Sequence, residues 1–158
     1  MTARLPPQQT MLFMAIAWRH NVMNITLLNT KVNTLVLSPE PPNEDKFHFS
    51  FSSAFAEENK RTFLIVFNLM VTTEDHYSLS LNYLAQFESD CDIETQDRDA
   101  PFLKINAPAI AYPFLRASVA NILLNSGHEP LLLPTINFIE LSKQQDQALQ
   151  AASKHTNE

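Results

Sequence analysis

The sequence predicts an α+β fold, in which a four-stranded antiparallel sheet is followed by two helices. Two segments alternate apolar and polar residues, and the segment between them is apolar on both faces. Short polar turns join these three segments, and a long apolar helix bounded by a proline and a glycine comes later. Strands that precede helices along the chain are typical of α+β domains. A chain of 158 residues is long enough to bury a core of its own.

The strands are predicted from period-two patterns. They are Ile25 to Leu37, Phe47 to Phe55, Thr62 to Val71 and Tyr77 to Phe87. The third is apolar on both faces, which is typical of a central strand. The last three are close enough to form an antiparallel meander. Because glycine is absent there, we expect Asn59 and Asp75 to take any left-handed turn positions.

The first helix is predicted from its two ends. Asn106 supplies a cap, Pro108 stands in the first turn, and the only glycine, Gly127, follows Ser126. Arg116 is its only charged residue, so the helix has no charged face to expose. A small domain rarely buries a helix on every side, which predicts packing against another subunit.

Three parts of the chain differ in composition. We interpret residues 1–22 as a disordered leader or a mis-assigned start, residues 23–142 as the domain, and residues 143–158 as the polar end and tail of a second helix that begins near Ile136. The leader's apolar run, Met11 to Trp18, is too short to span a bilayer, so no stable membrane insertion is expected.

Composition excludes several classes of function. A formal net charge of −6 disfavours nucleic acid as a partner. A single glycine argues against loops that cradle phosphate. The lone Cys91 cannot form an intrachain disulfide, which fits a reducing cytoplasm.

No catalytic or metal-binding pattern is found. The five histidines lack metal-ligand spacing. The acidic loop from Glu88 to Asp99 lacks the glycine and the terminal glutamate of a calcium loop. We therefore predict no enzyme activity, no cofactor and no metal. A small-ligand site that uses Arg116 and the acidic loop remains an alternative.

The surface is the remaining candidate site. A sheet covered by helices on one side has limited area to bury eleven phenylalanines, so we expect part of the apolar surface to form a groove for extended, unfolded chains. The candidate groove residues are Phe49, Phe51, Phe55, Tyr83 and Phe138. The candidate oligomer-interface residues are Tyr112, Leu115, Arg116, Val119 and Ile122.

A spaced motif connects this chain with a known family. Its residues are Pro108, Ile110, Tyr112, Pro113, Phe114, Arg116, Gly127, Pro130, Leu132, Asn137 and Phe138. Their order resembles that of the SecB export chaperones. The motif covers about a fifth of the chain, and a weaker resemblance in the order of elements extends back to roughly Ile25.

The resemblance implies a cytoplasmic homotetramer, a dimer of dimers with long helices sandwiched between sheets. It implies an ATP-independent holdase that keeps unfolded preproteins competent for the Sec translocase and passes them to the SecA motor. In the family that transfer uses acidic residues on the sheet surface. Neither Ile25 to Leu37 nor Tyr77 to Tyr83 contains one, which leaves open a SecB-like chaperone that guards an antitoxin.

Overall fold

Four strands form one antiparallel sheet in the computed structural model, which describes residues 23–39 and 47–155. The strands are β1 (Ile25–Pro39), β2 (Phe47–Phe55), β3 (Thr62–Thr72) and β4 (Tyr77–Ser89). Their spatial order is β1-β4-β3-β2, which places β1 and β2 at the two edges. The predicted meander and the α+β class are confirmed, and the predicted leader lies outside the described residues.

The core lies between one face of the sheet and the helices. The pairing aligns Phe51 with Phe67 and Phe67 with Tyr83, and a second row aligns Phe63 with Phe87. Because side chains alternate across a pleated strand, these aligned residues share one face. Phe63 and Phe67 are at most 1% exposed, so the helix-covered face is the buried one.

The opposite face of the sheet carries a ladder of amides among apolar residues such as Leu64, Val66 and Met70. Asn33 donates to Asn82 at 3.0 Å, and Asn82 donates to Asn68 at 2.7 Å. The register of β1 against β4 shifts between Leu27 and Asn29 and again between Val32 and Thr34. These shifts are β-bulges, which bend an edge strand and increase its twist.

The helical part begins earlier than predicted. A 3₁₀ turn (Thr95–Asp99) and a π-helical turn (Phe102–Asn106) lead into α1 (Ala107–Asn125), and α2 (Phe138–His155) follows. Asn106 has helical dihedrals and makes no side-chain cap bond, so its prediction as a cap is wrong. Pro108 has no N–H for the normal helical ladder, and we attribute the wider turn before it to that missing donor.

The end of α1 agrees with the prediction. Gly127 has φ +83°, its N–H donates to Leu124 O at 3.1 Å, and the His128 N–H donates to Leu123 O at 2.9 Å. This pair of bonds is the Schellman motif, which uses a left-handed residue to close a helix.

The loop after α1 is fixed to the β3–β4 turn. The His128 Nδ1 lies 2.7 Å from the Asp75 Oδ2, and the hydroxyl of Thr73 donates to the same carboxylate. These bonds hold the pKa of Asp75 below its usual range, the bond from Thr73 first and that from His128 second. The left-handed residue of this turn is His76, with φ 63°. Among the described residues neither Asp75 nor Asn59, in the β2–β3 turn, has a positive φ, so the expectation for both is wrong.

Candidate functional site

Helix α1 has one closed face and one open face. The closed face packs on the sheet through Ala111, Leu115, Val119 and Leu123, all 0% exposed. The open face carries Ile110, Phe114 and Leu124, which are 43%, 49% and 59% exposed. With the exposed Ala117 and Asn121 they form what we name the α1 stripe: Ile110, Phe114, Ala117, Asn121 and Leu124. Its spacing alternates between four and three residues, as in helices that pack together in coiled coils.

Most of the predicted interface residues lie elsewhere. Leu115 and Val119 lie in the core of the single chain, and Tyr112, 5% exposed, donates its hydroxyl to Pro134 O at 2.7 Å. Desolvation raises the pKa of Tyr112, as expected for a buried phenol. Tyr112, Leu115 and Val119 are therefore core residues of the single chain, which corrects their assignment to an oligomer interface. Ile122 is half-buried and packs against the core.

Arg116 lies on α1 beside the open face. Its Nε is buried and has no hydrogen-bond partner within residues 23–39 and 47–155. The acidic loop contacts the π-helical turn that precedes α1, where Lys104 Nζ lies 3.0 Å from Asp99 Oδ1. Arg116 lies about 18 Å farther along the helix axis at 1.5 Å per residue. The structure therefore does not bring Arg116 and the acidic loop together as one ligand site.

The edge of β2 is partly open. Gln145 Nε2 on α2 donates to Phe51 O at 3.3 Å, which shows that this carbonyl points away from β3. Residues two and four positions along a strand share that direction, so the N–H and C=O of Ser53 and Phe55 also face outward. Within the described residues, no backbone hydrogen bond joins this edge to another segment.

An apolar cavity of about 580 Å³ lies beside this edge. We name it the β2 cavity; Phe51, Ser53, Phe55, Arg98, Lys104 and Ala148 are among the residues that line it. The β2 cavity therefore lies between β2, residues 98–104 and α2. Its volume is within the range that holds a small ligand or a few side chains.

Two cationic side chains, Arg98 and Lys104, line the β2 cavity. The Arg98 guanidinium carbon lies 4.8 Å from the centroid of the Phe55 ring, a cation–π contact. Lys104 Nζ lies 2.8 Å from Asp146 and 3.0 Å from Asp99. The bond to Asp146, followed by that to Asp99, outweighs burial and raises the pKa of Lys104. Lys104 therefore bridges Asp146 of α2 and Asp99 of the 3₁₀ turn.

Four of the predicted groove residues form two adjoining sets, which meet where the Phe51 and Phe138 ring centroids lie 5.6 Å apart. Phe55 is half-buried and Phe51 is 8% exposed, and both line the β2 cavity. Phe49 and Phe138 belong to an aromatic cluster with Tyr112, with ring centroids 5.5 to 6.4 Å apart.

Tyr83 is corrected from a groove residue to a core residue. It is 2% exposed, and its hydroxyl accepts a hydrogen bond from Ser118 of α1 at 3.2 Å. Phe138 is only 6% exposed in the single chain. Sequence reasoning missed Arg98, Lys104 and Gln145, because it treated their segments as an acidic loop and a polar helix end. The only signal for the first two was a cation within or just after that acidic loop.

The described residues offer few groups for metal binding or nucleophilic chemistry. In the described ranges, no group of three or more His, Cys, Asp and Glu could hold a metal ion. Cys91 and His48 are exposed. Residues 102–125 are long and apolar enough to cross a membrane, by length and composition alone. One side of that segment packs into the core, as in a buried helix of a folded domain.

Comparison with known proteins adds to this geometry. The family described as "Preprotein translocase subunit SecB" matches residues 24–149. A protein-export protein SecB from Thiobacillus denitrificans is 40% identical over 55 residues, which are 35% of this chain and 36% of that protein. One from Afipia carboxidovorans is 34% identical over 70 residues, 43% of this chain and 41% of that protein. The matches therefore span less than half the length of these relatives.

A solved structure shares the fold. It is a SecB-like chaperone from Mycobacterium tuberculosis in complex with a ChAD peptide from the HigA1 antitoxin. The two chains superpose with a TM-score of 0.56 at 11% identity, over 83% of this chain and 99% of that one. At that identity the likeness concerns the arrangement of strands and helices alone.

Proposed function

Because this chain belongs to the SecB family, we propose that it is an ATP-independent holdase for unfolded or non-native polypeptides. The observation that carries the proposal is the open β2 edge beside an apolar cavity. An extended client would pair its backbone with Ser53 and Phe55 and place alternate side chains in the β2 cavity. No catalysis and no cofactor are needed for this activity.

The clients we propose are preproteins that await the Sec translocase in the cytoplasm. Support comes from the curated relatives, which are protein-export proteins. A holdase needs many weak contacts rather than sequence-specific ones, and the aromatic lining of the β2 cavity suits that requirement.

We further propose a homotetramer built as a dimer of dimers. The α1 stripe gives one apolar surface, and β1 gives a second through Leu28, Val32 and Leu35, which are 47%, 42% and 41% exposed. Exposed apolar patches of this kind favour association.

The acceptor of the client is a separate proposal. Glu88 is the only carboxylate in the four strands, so a SecA contact through acidic residues on the sheet has little support. An antitoxin as the guarded client is the alternative, favoured by the Mycobacterium tuberculosis neighbour that was solved with an antitoxin peptide. A small ligand at Arg116 is the second alternative, and Arg116 does not line the β2 cavity.

The test is the aggregation of a chemically unfolded client without ATP. The purified chain is expected to slow aggregation at micromolar concentration. Ala148→Glu places a carboxylate in the β2 cavity and should weaken binding of an apolar peptide about tenfold, which corresponds to 1.4 kcal/mol. Gln147→Glu changes the neighbouring exposed residue on α2 and is the matched control. A folded parent that neither slows aggregation nor binds the peptide would refute the holdase.

A further inference from the structure

We propose that Arg98 makes the β2 cavity selective for client segments that carry a carboxylate side chain. The proposal rests on the proposed function, because it assumes that clients pair with the outward-facing edge of β2. It goes further by naming the chemistry that the site prefers. The preferred segment is extended and largely apolar, with one aspartate or glutamate among the residues that face the cavity.

The two cations that line the β2 cavity differ in their partners. Lys104 Nζ lies 2.8 Å from Asp146 and 3.0 Å from Asp99, so two carboxylates already neutralise its charge. Arg98 forms no ion pair with any residue of the described ranges. Arg98 is therefore the cation of this cavity that can attract an acidic group from outside the chain.

Two further acidic side chains line an adjoining cavity of about 190 Å³, which Arg98 and Phe55 also line. One of them, Glu94, is bonded to Lys60 at 3.0 Å. The other, Glu57, makes no ion pair with the guanidinium of Arg98. Neither carboxylate takes up the N–H donors of Arg98, which are left for an external acceptor.

Phe55 holds the guanidinium of Arg98 in place. The guanidinium carbon lies 4.8 Å from the centroid of the half-buried Phe55 ring. An arginine carries five N–H donors in a planar fork, and two of them fit the two oxygens of one carboxylate. Because contact with the ring already restricts the side chain, less freedom is lost when an acceptor binds.

Phe55 also determines which client residue meets Arg98. Its outward-facing backbone groups would pair with one residue of an antiparallel client strand. Directly opposed residues point to the same face of the sheet, with Cβ atoms about 4.5 to 5.5 Å apart. The client side chain opposite Phe55 would therefore lie beside the ring that Arg98 covers. The next residue on that face, opposite Ser53, would enter the β2 cavity and is expected to be apolar.

The test uses extended peptides of alternating apolar and polar residues, in pairs that differ only by glutamate or glutamine. In the first pair the changed residue replaces an apolar one, and in the second it replaces a polar one, which faces the other side of the sheet. The folded parent should bind the glutamate peptide of the first pair about fivefold more tightly, the effect of a favourable exposed ion pair. The second pair should show no preference for glutamate. General attraction cannot produce the first result, because the chain has a net charge of −6.

Substitution of Arg98 assigns the preference to this side chain. Arg98→Gln should bring the two dissociation constants of the first pair to a ratio of about one, and Arg98→Glu should reverse the preference. Arg61→Gln is the matched control, since it removes the same charge near the same end of β2. Arg61 is bonded to Asp92 at 2.9 Å and does not line the β2 cavity, so the fivefold ratio should remain.

The outcomes separate this inference from the proposed function. If the parent binds both peptides of the first pair equally, the selectivity is wrong and the holdase stands. The same conclusion follows if Arg98→Gln keeps the parental ratio. If the folded parent binds none of the peptides, the holdase fails and the selectivity fails with it.

Discussion

The two faces of α1 have nearly the same composition and opposite environments. Leu115 is 0% exposed beneath the sheet, and its neighbour Phe114 is 49% exposed on the open face. Both faces are apolar, so burial within one chain accounts for only half of the helix. The difference teaches that the closed face stabilises the domain, whereas the open face is free to stabilise an assembly.

The largest expected effect is on the closed face. Leu115→Ala removes a fully buried side chain and leaves a cavity under the sheet. We expect a loss of about 2 to 5 kcal/mol in the free energy of unfolding. Phe114→Ala, on the open face, is the matched control and should change the unfolding of the monomer far less. Urea denaturation measures both, and similar losses at the two positions would abolish the distinction between the faces.

A charge on the open face should break the assembly instead of the fold. Phe114→Asp would bury an unpaired carboxylate against a second copy. We expect subunit affinity to fall by at least about 3 kcal/mol, roughly a hundredfold in the dissociation constant. Sedimentation should show smaller species with unchanged circular dichroism. Asn125→Asp, exposed but outside the α1 stripe, should keep the parental assembly. A parent that is monomeric at micromolar concentration would remove the basis of this prediction.

The end of α1 tests the helix without touching either face. A Cβ at Gly127 would meet nothing within 4 Å, so its substitution costs backbone strain alone. At φ +83° we expect Gly127→Ala to lower stability by about 1 to 2 kcal/mol. Asn125→Ala is the control for a neighbouring exposed change. Equal melting temperatures for Gly127→Ala and the parent would contradict the left-handed closure.

The smallest expected effect is that of pH on the Asp75–His128 contact, which holds the loop after α1 against the β3–β4 turn. The folded-state pKa of Asp75 is below its unfolded value of about 3.9. Its contribution to the free energy of unfolding is therefore complete above the unfolded pKa and is lost as pH falls through the folded pKa. Between pH 5 and pH 3, about one unit on either side of that value, the parent should lose more stability than Asp75→Asn. The carboxylate is exposed, so solvent screening keeps the difference small. Glu74→Gln is the control. Parallel profiles of unfolding free energy against pH for Asp75→Asn and the parent would show that the Asp75–His128 contact contributes nothing to stability.

Much of the fold could be predicted from local pattern. The alternation in β2 gave its bounds, Phe47 to Phe55, and Gly127 gave the end of α1. The face of α1 that meets the sheet could not be predicted, because a helix that is apolar on every side has no preferred direction. The β2 cavity could not be predicted either, because it joins Phe51, Lys104 and Gln145 from three distant parts of the chain.

The sheet order has a consequence for the time course of folding. β2, β3 and β4 are linked by short turns, whereas β1 must close a long loop before it can pair with β4. Loop closure becomes more costly as the loop lengthens, so the meander should form first and β1 should dock last. On the ribosome β1 is made first, and at 5 to 20 residues per second it waits roughly 2 to 8 s for β4. During that interval β1 is an unpaired strand, because β4 has not yet been synthesised. An unpaired apolar strand is the kind of segment that a holdase binds.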